Sequence, residues 1–117
     1  MTVQECYEAM GADYDDVISR LRTDERVTKF LLKILNDGSF QLLTDSLAAK
    51  NMEDAFRAAH TLKGVAMNLS LTALYHAAGP MTEALRGRSE YGAELEPLYT
   101  AVKQEYERAM TCIRALQ

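Results

Sequence analysis

The stretch from Asn51 to Leu71, NMEDAFRAAHTLKGVAMNLSL, gathers the residues of this sequence that could do chemistry. His60 carries an imidazole, which can attack an electrophile through a ring nitrogen. Lys63, three residues on, is a compact cation within reach of a phosphoryl group carried on that ring. Gly64 lowers helix propensity by about 1 kcal/mol relative to alanine. That penalty is easier to understand if something must approach the backbone beside His60. Phe56 and Met67 place apolar surface on either side, as a docking patch for another protein would. Arg57 adds a second positive charge.

Each residue also has a plainer reading. A single histidine on a helix surface is usually only solvated, a mid-helix glycine often marks close helix packing, and a lone lysine is an ordinary solvated face. Taken residue by residue, chemistry and a plain helix surface both stay open.

The elements that must position these residues are helical throughout. Rotating about 100° per residue places Leu62 and Leu69 about 200° and 180° from His60, flanked by Ala55, Ala58, Val65 and Ala66. The core stripe is then on the far side, with His60, Phe56, Arg57, Lys63, Gly64 and Met67 outward. Upstream, Tyr14, Val17, Ile18 and Leu21 form one short stripe. Thr23 caps a second, carried by Val27, Phe30, Leu31, Ile34 and Leu35 and ended by Asn36-Asp37-Gly38. Ser39 is expected to cap a helix bearing Phe40, Leu43 and Leu47, Asn51 one from Met52 to Asn68, and Thr72 one reaching about Arg86. Leu74, Ala78, Met81 and Leu85 stay in phase across Gly79-Pro80, which predicts one kinked helix there instead of two. After a loop from Gly87 to Gly92, Pro97 fits the first turn of a last helix. Leu98, Val102, Tyr106, Ala109, Ile113 and Leu116 form its seam. Short connections favour antiparallel neighbours. The expected fold is all-α, an antiparallel up-down four-helix bundle with an additional N-terminal helical segment, residues 1–117 making a single domain.

Composition narrows the function. The 117 residues hold 13 Lys+Arg against 17 Asp+Glu, a net charge of −4, whereas sequence-independent nucleic-acid binding needs a basic footprint. No apolar run approaches the roughly 18 residues of a membrane span, and the polar, acidic N-terminus is unlike a secretory signal. The expected location is cytoplasmic, with neither nucleic acid nor membrane as partner. Cys6 and Cys112, near opposite ends, are expected as small core residues, since no spacing suggests zinc. Di-iron bundles use Glu-x-x-His pairs, and Arg57 and Ala73 occupy the positions three before His60 and His76, so no metal site is expected. His76, among Ala73, Ala77 and Ala78, is expected to be structural.

The run His60-Thr61-Leu62-Lys63-Gly64-Val65-Ala66-Met67-Asn68-Leu69 resembles the motif of histidine-containing phosphotransfer (HPt) domains, with Leu62, Lys63, Gly64 and Leu69 in register with His60. Ala58-Ala59, Leu74 and the stretch Thr82–Arg86 fit as well, and the resemblance extends over the whole chain. Two departures stand out. Ser70 takes a place where the family often has glycine, and a common Leu-Glu pair aligns with Met81-Thr82, the acid arriving one residue later at Glu83. No role is carried over to Glu83.

The resemblance implies a phosphorelay carrier. His60 would exchange a phosphoryl group with an aspartate of a receiver domain, Lys63 would neutralise the transferring charge, and Gly64 would keep the adjoining surface low. Phe56 and Met67 would form the apolar centre of docking and Arg57 part of its rim. The Mg²⁺ would come with the receiver, so the chain needs no cofactor. Without a GxxxxGK loop or nucleotide lid, no autonomous kinase activity is expected. A freestanding monomer fits this role. The alternative is a helical adaptor that binds a receiver or kinase through the same face without phosphotransfer.

Overall fold

The computed structural model describes residues 1–116, and all of their regular structure is helical. Helix α1 (Val3–Met10) begins at a capping box: the Thr2 hydroxyl accepts the Glu5 N–H at 3.1 Å, and the Glu5 carboxylate accepts the Thr2 N–H at 2.9 Å. It ends on Gly11, whose φ of +65° is the left-handed geometry glycine adopts most easily. Asp13 caps α2 (Tyr14–Leu21), and Thr23 caps α3 (Asp24–Ile34). Then follow α4 (Ser39–Ala48), α5 (Met52–Asn68), α6 (Thr72–Leu85) and α7 (Leu95–Arg114).

The successive helices α4, α5, α6 and α7 pack side by side as the bundle. Side chains close it between first and last: Phe40 of α4 stacks on Tyr99 and Tyr106 of α7, and the Thr44 and Tyr99 hydroxyls share a 2.7 Å hydrogen bond. Helix α1 lies against α7, α2 and α3. One hydrophobic cluster runs from Val3 and Tyr7 through Val27, Leu31, Leu43, Leu62 and Leu85 to Ile113. Burying such an aliphatic side chain contributes about 1.5–3 kcal/mol. Cys6 and Cys112 are free thiols inside this core, as expected.

Three local expectations need correction. Ser39 is not a side-chain cap. Gly38 occupies the N-cap position, and the Ser39 N–H is taken instead by the Asp37 carboxylate at 3.1 Å. Thr72 likewise lies inside α6, behind Leu71, and its hydroxyl turns back to the Ser70 carbonyl at 3.3 Å. Helix α6 thus begins with no side-chain cap. Phe30 does not join the core stripe of α3 but remains 42% exposed, with the Lys33 ammonium 5.2 Å from its ring centre.

Helix α6 continues unbroken through Pro80. Proline has no N–H to offer the His76 carbonyl, and His76 and Pro80 are both exposed, on the side where water can serve that carbonyl. The residue before a proline is crowded out of helical geometry partly through its Cβ, and here that residue is Gly79.

The turn after α5 is where the N-terminal helices grip the bundle. Ser70 takes a left-handed φ of +56°, and the Leu71 N–H reaches back to the Ala66 carbonyl at 2.8 Å. Around it, the buried Tyr7 hydroxyl donates to the Leu69 carbonyl at 2.8 Å, and Arg20 donates to the Asn68 carbonyl at 2.8 Å. The Asp13 N–H bonds the Ser70 carbonyl at 2.9 Å. The Ser70 hydroxyl accepts from Arg20 and donates to Asp16 at 2.5 Å.

Candidate functional site

Helix α5 positions the site by its two ends and its buried face. The Asn51 side chain accepts the Asp54 N–H at 3.1 Å, starting the helix where the sequence indicates. Ala55, Ala58, Ala59, Leu62 and Ala66 are all buried. Four alanines let the neighbouring helices approach closely, and Leu62 anchors the middle. With that face fixed, His60 must point to solvent, and it does.

The outward residues fall as their spacing predicts. Lys63 and Gly64 follow His60 within one turn, both half-buried, and Met67 lies 57% exposed a further turn along. A Cβ built on Gly64 meets nothing within 4 Å, so no neighbouring helix requires the glycine. The missing side chain leaves a bare step beside the imidazole. Phe56 is half-buried and stacks on His60, with ring centres 5.8 Å apart and planes 28° from parallel. Arg57 is placed differently from an open cationic rim. Its guanidinium is held by its own helix, 2.5 Å from the Asp54 carboxylate and 3.5 Å from that of Glu53, so its charge is largely compensated.

Helix α6 brings residues to this surface to which the sequence assigned no role there. Running antiparallel beside α5, it sets the Tyr75 ring 5.8 Å from the Lys63 ammonium and the Arg86 guanidinium 5.0 Å from the Phe56 ring centre. Between them Gly79 is again open, with no atom within 4 Å of a built Cβ. Glu83 bonds Arg86 through both oxygens, at 3.1 and 3.2 Å. That hydrogen bonding, then the Arg86 charge, holds the Glu83 carboxyl below the usual range, and the charges of Lys63 and His60 act in the same direction. The signal was present in the spacing of Tyr75, Gly79, Glu83 and Arg86, at four, four and three, which is one helix face. Thr82, where the resemblance would put an acid, is fully buried with its hydroxyl on the Ala78 carbonyl at 2.7 Å. His76 is exposed and lies edge-on to Tyr75, at 5.8 Å between ring centres.

Among the described residues, no three His, Cys, Asp or Glu side chains converge as metal ligands would, and no helix is long and apolar enough to cross a membrane. The surface around His60 therefore offers an accessible nucleophile, one cation free of any ion pair among the described residues (Lys63), an uncovered backbone step and an apolar flank.

No curated protein and no solved structure matches the chain. A family model for the Hpt domain matches residues 32–111, which is 80 of the 117 positions and includes all of α4, α5 and α6. Helices α1 and α2, which grip the α5–α6 turn, lie outside that match. The chain belongs to the Hpt domain family, the helical phosphotransfer proteins of two-component signalling.

Proposed function

We propose that this chain carries a phosphoryl group on His60 between receiver-domain aspartates of a phosphorelay. The observation that carries the reading is the exposed imidazole of α5 with Lys63 and the bare Gly64 beside it, in a chain of this family. A ring nitrogen of neutral His60 attacks the phosphorus of an aspartyl phosphate in line. The bond from phosphorus to the aspartate oxygen breaks, and the carboxylate stays on the receiver. The transferring group spreads negative charge over its equatorial oxygens, and catalysis of such a step is chiefly positioning and electrostatic stabilisation. Lys63 supplies the nearby positive charge, and the Mg²⁺ belongs to the receiver. Gly64 lets the receiver's loops come down onto the helix, while Phe56 and Met67 form the apolar part of the contact. Arg57, tied to Glu53 and Asp54, belongs to its rim.

In this reading the chain is one domain and a monomeric carrier without kinase activity of its own. The continuity of the hydrophobic cluster from Val3 to Ile113 supports a single domain. Its partner is the receiver domain of a response regulator or hybrid kinase. The test is incubation with a phosphorylated receiver, followed by a search for an acid-labile, base-stable label on the chain. The label should vanish in His60→Gln, with the melting temperature within about 2 °C of wild type, since surface substitutions usually change stability by no more than about 0.5 kcal/mol. A label that survives the substitution refutes the assignment. Tight receiver binding with no label at all favours the adaptor role.

A further inference from the structure

We propose that Tyr75 is a positioning residue that holds the Lys63 ammonium beside His60. The inference deepens the phosphotransfer reading and rests on it. Lys63 ends in a compact charge on a flexible four-carbon stem, which by itself would sweep a wide volume of solvent. Tyr75 is the opposite kind of group. It is half-buried, packs against the hydrophobic cluster, and belongs to a helix that continues unbroken to Leu85. The Lys63 nitrogen lies 5.8 Å from its ring centre, within the range where the negative face of an aromatic ring attracts a cation.

Among the described residues Lys63 has no ion pair, and the Glu83 carboxylate, which feels its charge, is bonded to Arg86 through both oxygens. A ring is well suited to this task. A carboxylate in its place would neutralise the ammonium and add repulsion against the incoming phosphoryl group. The ring restricts the ammonium without removing its charge and releases it to the stronger attraction of phosphoryl oxygens. Thr72, one turn before Tyr75 on α6, follows the Ser70 turn gripped by Asp16 and Arg20, so the ring's position depends on a braced segment.

Phosphoramidate provides a receiver-independent test. A ring nitrogen of His60 attacks its phosphorus, the phosphorus–nitrogen bond breaks, and ammonia leaves with a proton. Tyr75→Leu should slow labelling by about two- to five-fold, the factor an exposed cation–π contact carries. Tyr75→Phe, which keeps the ring, should label at nearly the wild-type rate. In a Lys63→Ala background, Tyr75→Leu should have no further effect. Equal rates for Tyr75→Leu and wild type overturn the proposal, and so does an equal slowing with and without Lys63. If Tyr75→Leu does not fold, the wild-type proton spectrum decides. The Lys63 Hε resonances should be shifted upfield by the ring, and random-coil positions overturn the proposal. Labelling that persists in His60→Gln is a separate result, and it refutes the phosphotransfer reading itself.

Discussion

Replacing Gly64 by alanine should make the protein more stable and a poorer phosphotransfer partner at once. Glycine within an exposed helix is about 0.5–1 kcal/mol less favourable than alanine, through the backbone freedom it loses on folding. A packing glycine would resist the change because the new methyl would strike a neighbour, but here nothing lies within 4 Å of the added Cβ. The conformational gain should therefore appear almost undiminished. For 117 residues the unfolding entropy is about 0.25 kcal/mol per kelvin, so the melting temperature should rise by about 2–4 °C. Thermal unfolding by circular dichroism measures this directly. Phosphotransfer should move the other way. In the proposed transfer each atom added at position 64 stands where the receiver would bring its aspartate in line with His60, and a displacement of about 1 Å can lower such a rate by up to 100-fold. Gly64→Ala should slow transfer measurably, and Gly64→Gln should slow it by about ten-fold or more while still folding. A fall in melting temperature for Gly64→Ala would mean that the glycine serves packing. An unchanged transfer rate for Gly64→Gln would mean that no partner surface comes close there.

Ser70→Ala should destabilise by about 1–2 kcal/mol, because it keeps the left-handed backbone and removes the hydroxyl shared by Asp16 and Arg20, whereas Ser70→Gly should be nearly neutral because it also relieves the strained backbone. Denaturant unfolding of the pair separates the two effects. The Asp16 carboxyl is held below its ordinary range first by the Ser70 hydroxyl and then by Arg20. Its stabilising contribution is therefore fully present above the unfolded-state pKa and is lost as pH falls through the lower folded-state value, so acid unfolding of Asp16→Asn should lack that component. Cys6 is pushed up to about 11, by burial first and then by Cys112, so native protein should react with a thiol reagent far more slowly than unfolded protein, and equal rates would place the thiol at the surface.

The alanines and Leu62 of α5, with Leu69 at its C-cap, made both the helix and its buried side legible in the sequence. A side chain's angular position on a regular helix follows from residue count alone, so His60, Lys63, Gly64 and Met67 were placed on the outer face without knowledge of any neighbour. The same arithmetic carried Leu74, Ala78, Met81 and Leu85 across Pro80. It gave no information on which group wins a contested hydrogen bond. At Ser39 and Thr72 the cap-forming residue type was present, but the Asp37 carboxylate takes the Ser39 N–H, and α6 begins behind Leu71 with the Thr72 hydroxyl on the Ser70 carbonyl. Phe30 has the spacing of a core residue, yet it stays exposed with the Lys33 ammonium over its ring, and spacing alone does not show whether a neighbour covers a position.

Tertiary structure alone decided what stands across from His60. The antiparallel register of α5 and α6 brings Tyr75 to Lys63 and Arg86 to Phe56, residues 12 and 30 positions apart in sequence, and no periodicity within either helix encodes that register. It likewise joined Asp16 and Arg20 to Ser70, so that a left-handed residue other than glycine is supported by a helix from outside the family match. Helical periodicity is local and survives in the sequence, so the outward placement of His60 and its own helix could be read there. The residues that face Lys63 and brace the turn after α5 come from packing between helices, which only the folded chain determines.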